Sequence, residues 1–198
     1  MPASGVPTRQ RILAEATRAF GARGYGQTSL DDVAEAAGIR KQSLLYHFPS
    51  KDDLFAAAAI DAARSVGEAL DEALGPDPAG LDRLEALVRG VYRLADQRPE
   101  VVAMIREAAR TGPPASDRVA QAMKPLADAA VRWLSDAMDT GHLRRLDPRV
   151  ALLTIYSAVV GHLTESSVKR ALLDGKARKA AERELVAFLR AALTPVAT

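Results

Sequence analysis

The sequence contains no cysteine and only three histidines among its 198 residues. The absence of cysteine excludes a disulfide scaffold, catalysis by a thiol and a zinc site with cysteine ligands, and it is compatible with a reducing cytoplasm. Three histidines leave little for a metal site, so we expect neither a metal ion nor another cofactor.

Aromatic residues are scarce, at 5% of a chain that is 48% hydrophobic. The core must therefore be built mainly from Leu, Val and Ala, a mixture that favours packed helices over strands. Long apolar runs are also missing, because the run 150–160 is interrupted by Thr154 and Ser157 and is shorter than the ~20 residues that span a bilayer. Residues 1–7 lack an apolar signal region. We expect a cytoplasmic protein without a membrane partner.

Charge is unevenly distributed although the net charge is only +2. Residues 1–51 carry seven basic and four acidic side chains, a net charge of +3, and the remainder of the chain has a net charge of −1. A basic first quarter is weak evidence for a polyanionic partner, because such asymmetry also arises by chance.

Helical periodicity runs nearly from end to end, and no stretch of alternating β-branched residues competes with it. We predict an all-α protein without internal repeats. The nine predicted helices cover about 8–24, 28–38, 41–47, 50–75, 81–97, 100–110, 117–139, 148–174 and 179–193.

Capping residues set the predicted helix starts. Thr8 is expected to cap the first helix and Thr28 the second, with Asp31 at the capping-box position. Ser50 is expected to open the fourth, and Asp147 the eighth. Pro125 is expected to kink or divide the seventh.

The second helix, a turn at Gly38 and the third helix form the arrangement expected of a helix-turn-helix. Ala34 is small where the two helices cross, and Val33, Ile39 and Leu44 can fix the pair onto the first helix. The third helix is short enough to enter a major groove. It presents a set of hydrogen-bond donors, namely Arg40, Lys41, Gln42, Ser43, Tyr46 and His47.

These residues lie within a longer pattern. It comprises Ala19-Phe20, Gly24-Tyr25, the segment 28–34, Ala37-Gly38-Ile39 and the segment 44–54, LLYHFPSKDDL. With this pattern the sequence resembles the tetracycline-repressor (TetR) family of bacterial transcription regulators. The resemblance implies a helix-turn-helix DNA-binding domain over 1–50 and a helical domain over 51–198 that binds a small molecule and dimerises.

The resemblance further implies a homodimeric repressor that binds a palindromic double-stranded DNA operator and is released by a small-molecule effector, unknown here and largely apolar. The alternative is an activator, or a regulator of the same fold without a ligand. Ser50 begins the long helix that we expect to act as the lever between the two domains, as the element that alone joins them. A helical enzyme or adaptor is a third reading, but no Ser-His-Asp ordering or carboxylate pair supports catalysis, so we expect no enzyme.

Site residues follow from the resemblance position by position. Thr28 and Ser29 would contact phosphate, and Lys41, Gln42 and Ser43 would face bases or nearby phosphates. The residues expected to hold the DNA backbone are Tyr46, His47 and Lys51. Arg40 stands where the family usually has a capping Ser or Thr, and Leu45 stands where an aromatic residue is common.

The ligand and dimer sites are less defined by the sequence. The residues that could line an apolar ligand cavity, or could equally be core, are Tyr92, Met104, Trp133, Met138 and Tyr156. Arg106, Glu107 and Arg110 could select a charged ligand or form a solvated face. His162 and Glu165 form an interface pair more readily than a metal site.

The eighth helix is apolar almost all round, which argues for a second surface that covers it. Paired with the last helix, it could form a four-helix dimer interface, with complete burial in one subunit as the alternative. The residues expected there are Val159, Gly161, His162, Leu185 and Leu189.

Overall fold

The computed structural model describes residues 7–74, 79–164, 171–172 and 178–195. Helices account for all the regular structure in these ranges, which confirms the predicted all-α class. They are α1 (Thr8–Gln27), α2 (Leu30–Ala36), α3 (Lys41–His47), α4 (Lys51–Ala73), α5 (Gly80–Gln97), α6 (Pro99–Arg110), α7 (Ala115–Asp139), α8 (Pro148–Thr164) and α9 (Arg178–Leu193). Most of the predicted extension of the eighth helix to 174 lies outside the described residues.

Two of the predicted caps are wrong and two are confirmed. α1 follows Pro7 without a side-chain cap, and α2 is capped by Ser29 rather than Thr28. Ser50 Oγ accepts the backbone N–H of Asp53 at 3.1 Å at the start of α4. Asp147 Oδ1 accepts the N–H groups of the second and third residues of α8, at 2.8 and 3.1 Å.

The interiors of α1 and α7 each contain a residue that is unusual within a helix. Gly24 has φ 83° and ψ 165° and breaks α1, so that residues 25–27 form a separate last turn beyond the predicted end. α7 runs through Pro125 as one helix, so Pro125 does not divide it, and the alternative of a kink at Pro125 stays a prediction.

The described chain divides into two compact units. The first contains the described residues up to Ser65 and Arg98–Met123, and the second contains those of Val66–Gln97 and from Lys124 onward. The division falls inside α4, between α5 and α6, and inside α7. Because α6 packs against α1, α4 is not the sole link between residues 1–50 and the rest of the chain. The functional boundary expected after residue 50 stays a prediction.

Each unit has its own apolar core. In the first unit, α1 packs against α2 and α6, and α2 packs against α3. Its fully buried side chains include Ile12, Phe20, Val33, Leu44, Leu54, Phe55, Val101 and Met104. In the second unit, α5, α8 and α9 pack together around Leu84, Val88, Tyr92, Leu134, Met138, Val159, Leu185 and Leu189.

Candidate DNA-binding site

The turn between α2 and α3 is built by Gly38, which has φ 66°. Its N–H donates to Glu35 O at 2.9 Å, and the N–H of Ile39 donates to Ala34 O at 3.0 Å. This pair of bonds is a Schellman motif, which needs a left-handed residue at the position of Gly38. A side chain there would meet open space, so the requirement for glycine is conformational and not steric.

Ser29 fixes the start of α2 through a reciprocal capping box. Its hydroxyl accepts the N–H of Asp32 at 3.1 Å, and the Asp32 carboxylate accepts the N–H of Ser29 at 2.8 Å. The hydrogen bonds from Ser29 lower the pKa of Asp32. Ser29 remains exposed at the helix N-terminus, where backbone N–H groups attract anions.

Burial of one face of α3 leaves the opposite face in water. Leu44 and Val33 are fully buried, and Ala34 is buried as well. Ile39 is half-buried. The exposed residues at the start of α3 are Arg40, Lys41, Gln42 and Ser43, and Tyr46 in its last turn is 86% exposed.

Arg40 takes the N-cap position of α3 without a side-chain capping bond. Its carbonyl accepts the N–H groups of Ser43 and Leu44 at 2.9 and 3.2 Å. The guanidinium group therefore stays exposed at the end of the helix that would enter DNA, with a geometry suited to bases and phosphates.

Lys41 pairs with an acidic residue of the preceding helix. Its Nζ lies 2.7 Å from Asp31 Oδ2, and both side chains are substantially exposed. Exposed pairs of this kind are worth little, about 0–1 kcal/mol, so Lys41 can exchange Asp31 for a phosphate at low cost.

The donors predicted to grip the DNA backbone lie around the end of α3 and the start of α4. The rings of Tyr46 and His47 meet edge to face with centroids 5.4 Å apart. Lys51 Nζ lies 4.3 Å above the ring of Tyr25, a cation–π contact that positions its ammonium group. The Tyr25 hydroxyl donates to Asp52, and this bond raises the pKa of Tyr25 to about 12.

Thr28 does not fit the expected phosphate contact. Its side chain is buried, and its hydroxyl donates to the carbonyls of Gly24 and Ala19 at 2.9 and 3.2 Å. The hydroxyl thus holds the end of α1. The shift of the cap to Ser29 follows from this, because Thr28 is already occupied.

The part of the chain that matches a known protein family is the part that contains this helix-turn-helix. Residues 12–58, which include α2, α3 and the start of α4, match the bacterial regulatory proteins of the tetR family. The regulator RutR of Escherichia coli K12, an HTH-type transcriptional regulator, is 26% identical over 157 residues, which is 76% of this chain and 71% of RutR. Residues 12–58 of the chain are therefore similar to the DNA-binding segment of the TetR family. The findings support a transcriptional regulator with a DNA-binding segment of the TetR type.

Solved structures of regulators share the fold. The structure of FadR from Bacillus subtilis in complex with stearoyl-CoA has a TM-score of 0.78 at 14% identity and covers 92% of this chain and 98% of FadR. AibR, in complex with isovaleryl coenzyme A and operator DNA, has a TM-score of 0.75 at 22% identity, with the same coverage of 92% and 98%. At these identities the likeness shows that the chain shares the fold of these two proteins.

The structure does not bring the five predicted ligand residues together within one unit. Tyr92 and Met138 share the core of the second unit with Trp133 packed against it, whereas Met104 is buried in the first unit. Tyr156 is 42% exposed on α8. The crevice between α5 and α9, lined by Leu84, Glu85, Val88, Val186, Leu189 and Arg190, is a shallow depression with no enclosed volume for a ligand.

The predicted dimer residues differ in burial, and their place at an interface stays a prediction. Val159, Leu185 and Leu189 are buried in the core of their own unit, whereas Gly161 and His162 are half-buried. The large apolar side chains that reach water on these helices are Val150, Leu153 and Tyr156 of α8 and Phe188 of α9. The apolar character of α8 predicts that a second surface covers the helix, but it does not predict which of its apolar residues pack into the core of the unit.

Other site types find no support in the part of the chain that the structure describes. No group of acidic and imidazole side chains there could hold a metal ion. Glu165, the predicted partner of His162, lies outside the described residues. No described helix has the length and hydropathy needed to cross a bilayer.

Proposed function

We propose that the protein is a homodimeric repressor that reads its operator with α3 and is released by a small-molecule effector. The observation that carries this proposal is the exposed polar face of α3 on a helix anchored by buried Leu44. Arg40, Lys41 and Gln42 would reach base edges, since Arg and Lys suit guanine and Gln suits adenine.

Phosphate contacts would surround this reading face. We assign them to the hydroxyl of Ser29, to Tyr46 and His47 at the end of α3, and to Lys51 at the start of α4. We assign Ser43 a contact with either a base or a phosphate. Thr28 is excluded from this set because its hydroxyl is committed to α1.

A homodimer is supported by the exposed apolar side chains of α8 and α9. Leu153 and Phe188 are 63% and 64% exposed, and water contact with side chains of this size costs about 1.5–3 kcal/mol each relative to burial. Two copies joined through this surface would present two α3 helices to successive major grooves, about 34 Å apart on a palindromic site.

The effector class is proposed from the complexes of the structural neighbours. FadR and AibR were solved with acyl-CoA molecules. We propose an acyl thioester of coenzyme A, with a largely apolar acyl group, as the first effector class to test. Its affinity must differ between the DNA-bound and released states for it to act as an inducer.

The test is a fluorescence-anisotropy titration against the DNA upstream of the protein's own gene at two salt concentrations. We expect tight, salt-sensitive and sequence-selective binding, followed by release on adding isovaleryl-CoA or stearoyl-CoA. Selective binding without release would remove the acyl-CoA assignment. Absence of selective binding to any fragment of the genome would remove the operator assignment.

Three variants separate the proposed roles in the same titration. Tyr46→Phe and Lys51→Ala should each weaken binding to all sequences, with a salt slope reduced by about one for Lys51→Ala. Gln42→Ala should instead change the preference among operator variants, with a cost of about 1–3 kcal/mol on the preferred base. Wild-type behaviour in all three variants would contradict the assignment of α3 as the reading helix.

A further inference from the structure

Glu107 of α6 reaches the chain segment that leads into the helix-turn-helix. Its Oε1 accepts the backbone N–H of Tyr25 at 2.7 Å, across 82 positions of sequence. The contact therefore results from tertiary packing within the first unit. Neither a charged-ligand role nor a solvated face, the two readings that the sequence offered, describes this side chain.

The break at Gly24 explains why Tyr25 needs an acceptor. At φ 83° and ψ 165°, Gly24 interrupts the regular hydrogen bonding of α1, and Tyr25 starts a new single turn. The first N–H groups of a turn have no partner within it. The Glu107 carboxylate supplies one, in a charge-assisted bond that is stronger than a neutral one.

The connecting segment 24–28 is held at two further points. The Tyr25 hydroxyl donates to Asp52 of α4, and the Thr28 hydroxyl donates back to Gly24 O at 2.9 Å. Ser29 follows immediately as the cap of α2. The position of this segment thus fixes where α2 begins, and α2 carries α3 through the Gly38 turn.

Close packing of α6 on α1 brings Glu107 within reach. A Cβ atom added at Gly21 would lie 3.1 Å from both Ala103 Cβ and Glu100 O of α6. A Cβ at Gly24 would lie 3.1 Å from Glu107 Oε1 itself. Both glycines therefore allow the two helices to approach, and residues of α1 and α6 together form the contact.

We propose that Glu107 is a positioning residue for operator binding. By holding Tyr25 N–H it fixes the segment 24–28 and so the orientation in which α2 and α3 meet DNA. The proposal rests on operator reading by α3, and it gives α6, which lies outside residues 1–50, an indirect part in that reading. Glu107 itself contacts no DNA in this arrangement.

The experiment compares Glu107→Ala, Glu107→Gln and wild type in titrations against the operator and against an unrelated duplex at one salt concentration. Glu107→Ala should weaken operator binding about tenfold, because it removes a charge-assisted bond, and leave binding to the unrelated duplex unchanged. Glu107→Gln should stay within about threefold of wild type, since its amide oxygen can still accept. Glu100→Ala removes an acidic side chain of the same helix, which pairs with the N-cap residue Arg98, and it should bind as wild type does.

Hydrogen exchange of the Tyr25 amide gives a readout independent of DNA. We expect it to exchange faster in Glu107→Ala and at nearly the wild-type rate in Glu107→Gln. Faster exchange with unchanged operator affinity would overturn the positioning role. Equal losses on both duplexes would also overturn it, in favour of a general folding defect. Failure of wild type itself to select an operator would overturn the proposed function, and with it this inference.

Discussion

Lys41 is engaged before any nucleic acid is bound, because its ammonium group pairs with Asp31 at 2.7 Å. Asp31 also places a negative charge close to where a phosphate would come. This acidic residue lies in the first turn of α2, where a carboxylate is favourable for the helix by about 0.3–1 kcal/mol. We therefore expect Asp31 to stabilise α2 and, at the same time, to weaken DNA binding.

Asp31→Asn should tighten binding to operator and unrelated DNA alike, about two- to fivefold, because it frees Lys41 and removes a repulsive charge. The salt slope should become steeper by about one phosphate contact. Glu35→Gln is the matched control, since it removes a charge from the same helix and leaves the Lys41 pair intact. Equal effects of the two variants in salt-dependent titrations would show that Lys41 is not the group released.

Tyr25 gives the protein a dependence on alkaline pH. The hydrogen bond to Asp52 raises the pKa of Tyr25 from 10.0 to about 12 in the folded chain. A group whose pKa is raised on folding contributes its stability below the unfolded value and loses it as pH rises through the folded value. This contribution should thus be complete below pH 10 and disappear towards pH 12.

The measurement is the difference in free energy of unfolding between wild type and Tyr25→Phe from pH 8 to 12. We expect the stability advantage of wild type to shrink above pH 10, because ionisation of Tyr25 removes its hydrogen bond to Asp52. Other titrating groups contribute equally to both proteins and cancel in the difference. A titration followed by phenolate absorbance should show one tyrosine fewer ionising near pH 12 in Tyr25→Phe than in wild type. A difference that stays constant with pH would contradict the role of the Asp52 bond.

At the scale of helices, the glycines of α1 have different reasons to be glycine. Gly21 lies against the α6 backbone, whereas a Cβ at Gly26 would meet nothing within 4 Å. Gly21→Ala should destabilise the fold by about 1–3 kcal/mol through displacement of α6. Gly26→Ala should stabilise it by about 0.4–1 kcal/mol, since it restricts the unfolded chain without strain.

Denaturant unfolding of both variants checks this pair of expectations. Operator titration adds a second readout, because displacement of α6 by Gly21→Ala also moves Glu107 away from Tyr25. Gly26→Ala should leave operator affinity unchanged. Stabilisation by Gly21→Ala would mean that α6 can shift without cost and that the close approach of α6 to Gly21 does not contribute to the free energy of unfolding.

Local signals made much of the DNA-binding site predictable from sequence. Gly38, Ser50 and Asp147 bond or turn the chain within a few residues of their own positions. The sequence could therefore predict the Gly38 turn and the starts of α4 and α8. Thr28 was misread because its hydroxyl finds partners in α1, and sequence spacing cannot distinguish it from the adjacent Ser29. The Glu107 bond was out of reach, since it depends on packing across 82 residues.

The second unit was less predictable for a related reason. α8 is apolar on nearly every face, so periodicity could not assign Val159 to the core and Leu153 to the surface. The same uncertainty applied to α9, where Leu185 and Leu189 are buried and Phe188 between them is exposed. Which apolar face turns inward is decided by the helices that pack there.

At the scale of the whole molecule, the exposed face of α8 and α9 predicts a dimer that a single charge can disrupt. Leu153→Arg and Phe188→Arg should each give a particle of one 21.1 kDa chain in place of two. Operator affinity should fall about a hundredfold or more, because two linked reading helices become independent.

Sedimentation or light scattering measures the mass, and the operator titration measures the affinity. Gln121→Arg adds the same charge at an exposed position of α7 and should remain dimeric. A dimeric Leu153→Arg variant that binds as wild type does would place the contact between copies elsewhere.

The packing of α6 on α1 has a consequence for the way the protein is made. A ribosome releases α1, α2 and α3 first, but α6 is complete only after residue 110. At about 5–20 residues per second, the 60 residues that follow position 50 take roughly three to twelve seconds. During that interval the surface of α1 around Gly21 has no α6 to cover it, and Tyr25 has no Glu107. The nascent chain should therefore acquire its DNA-reading geometry late, when the second stretch of the first unit arrives.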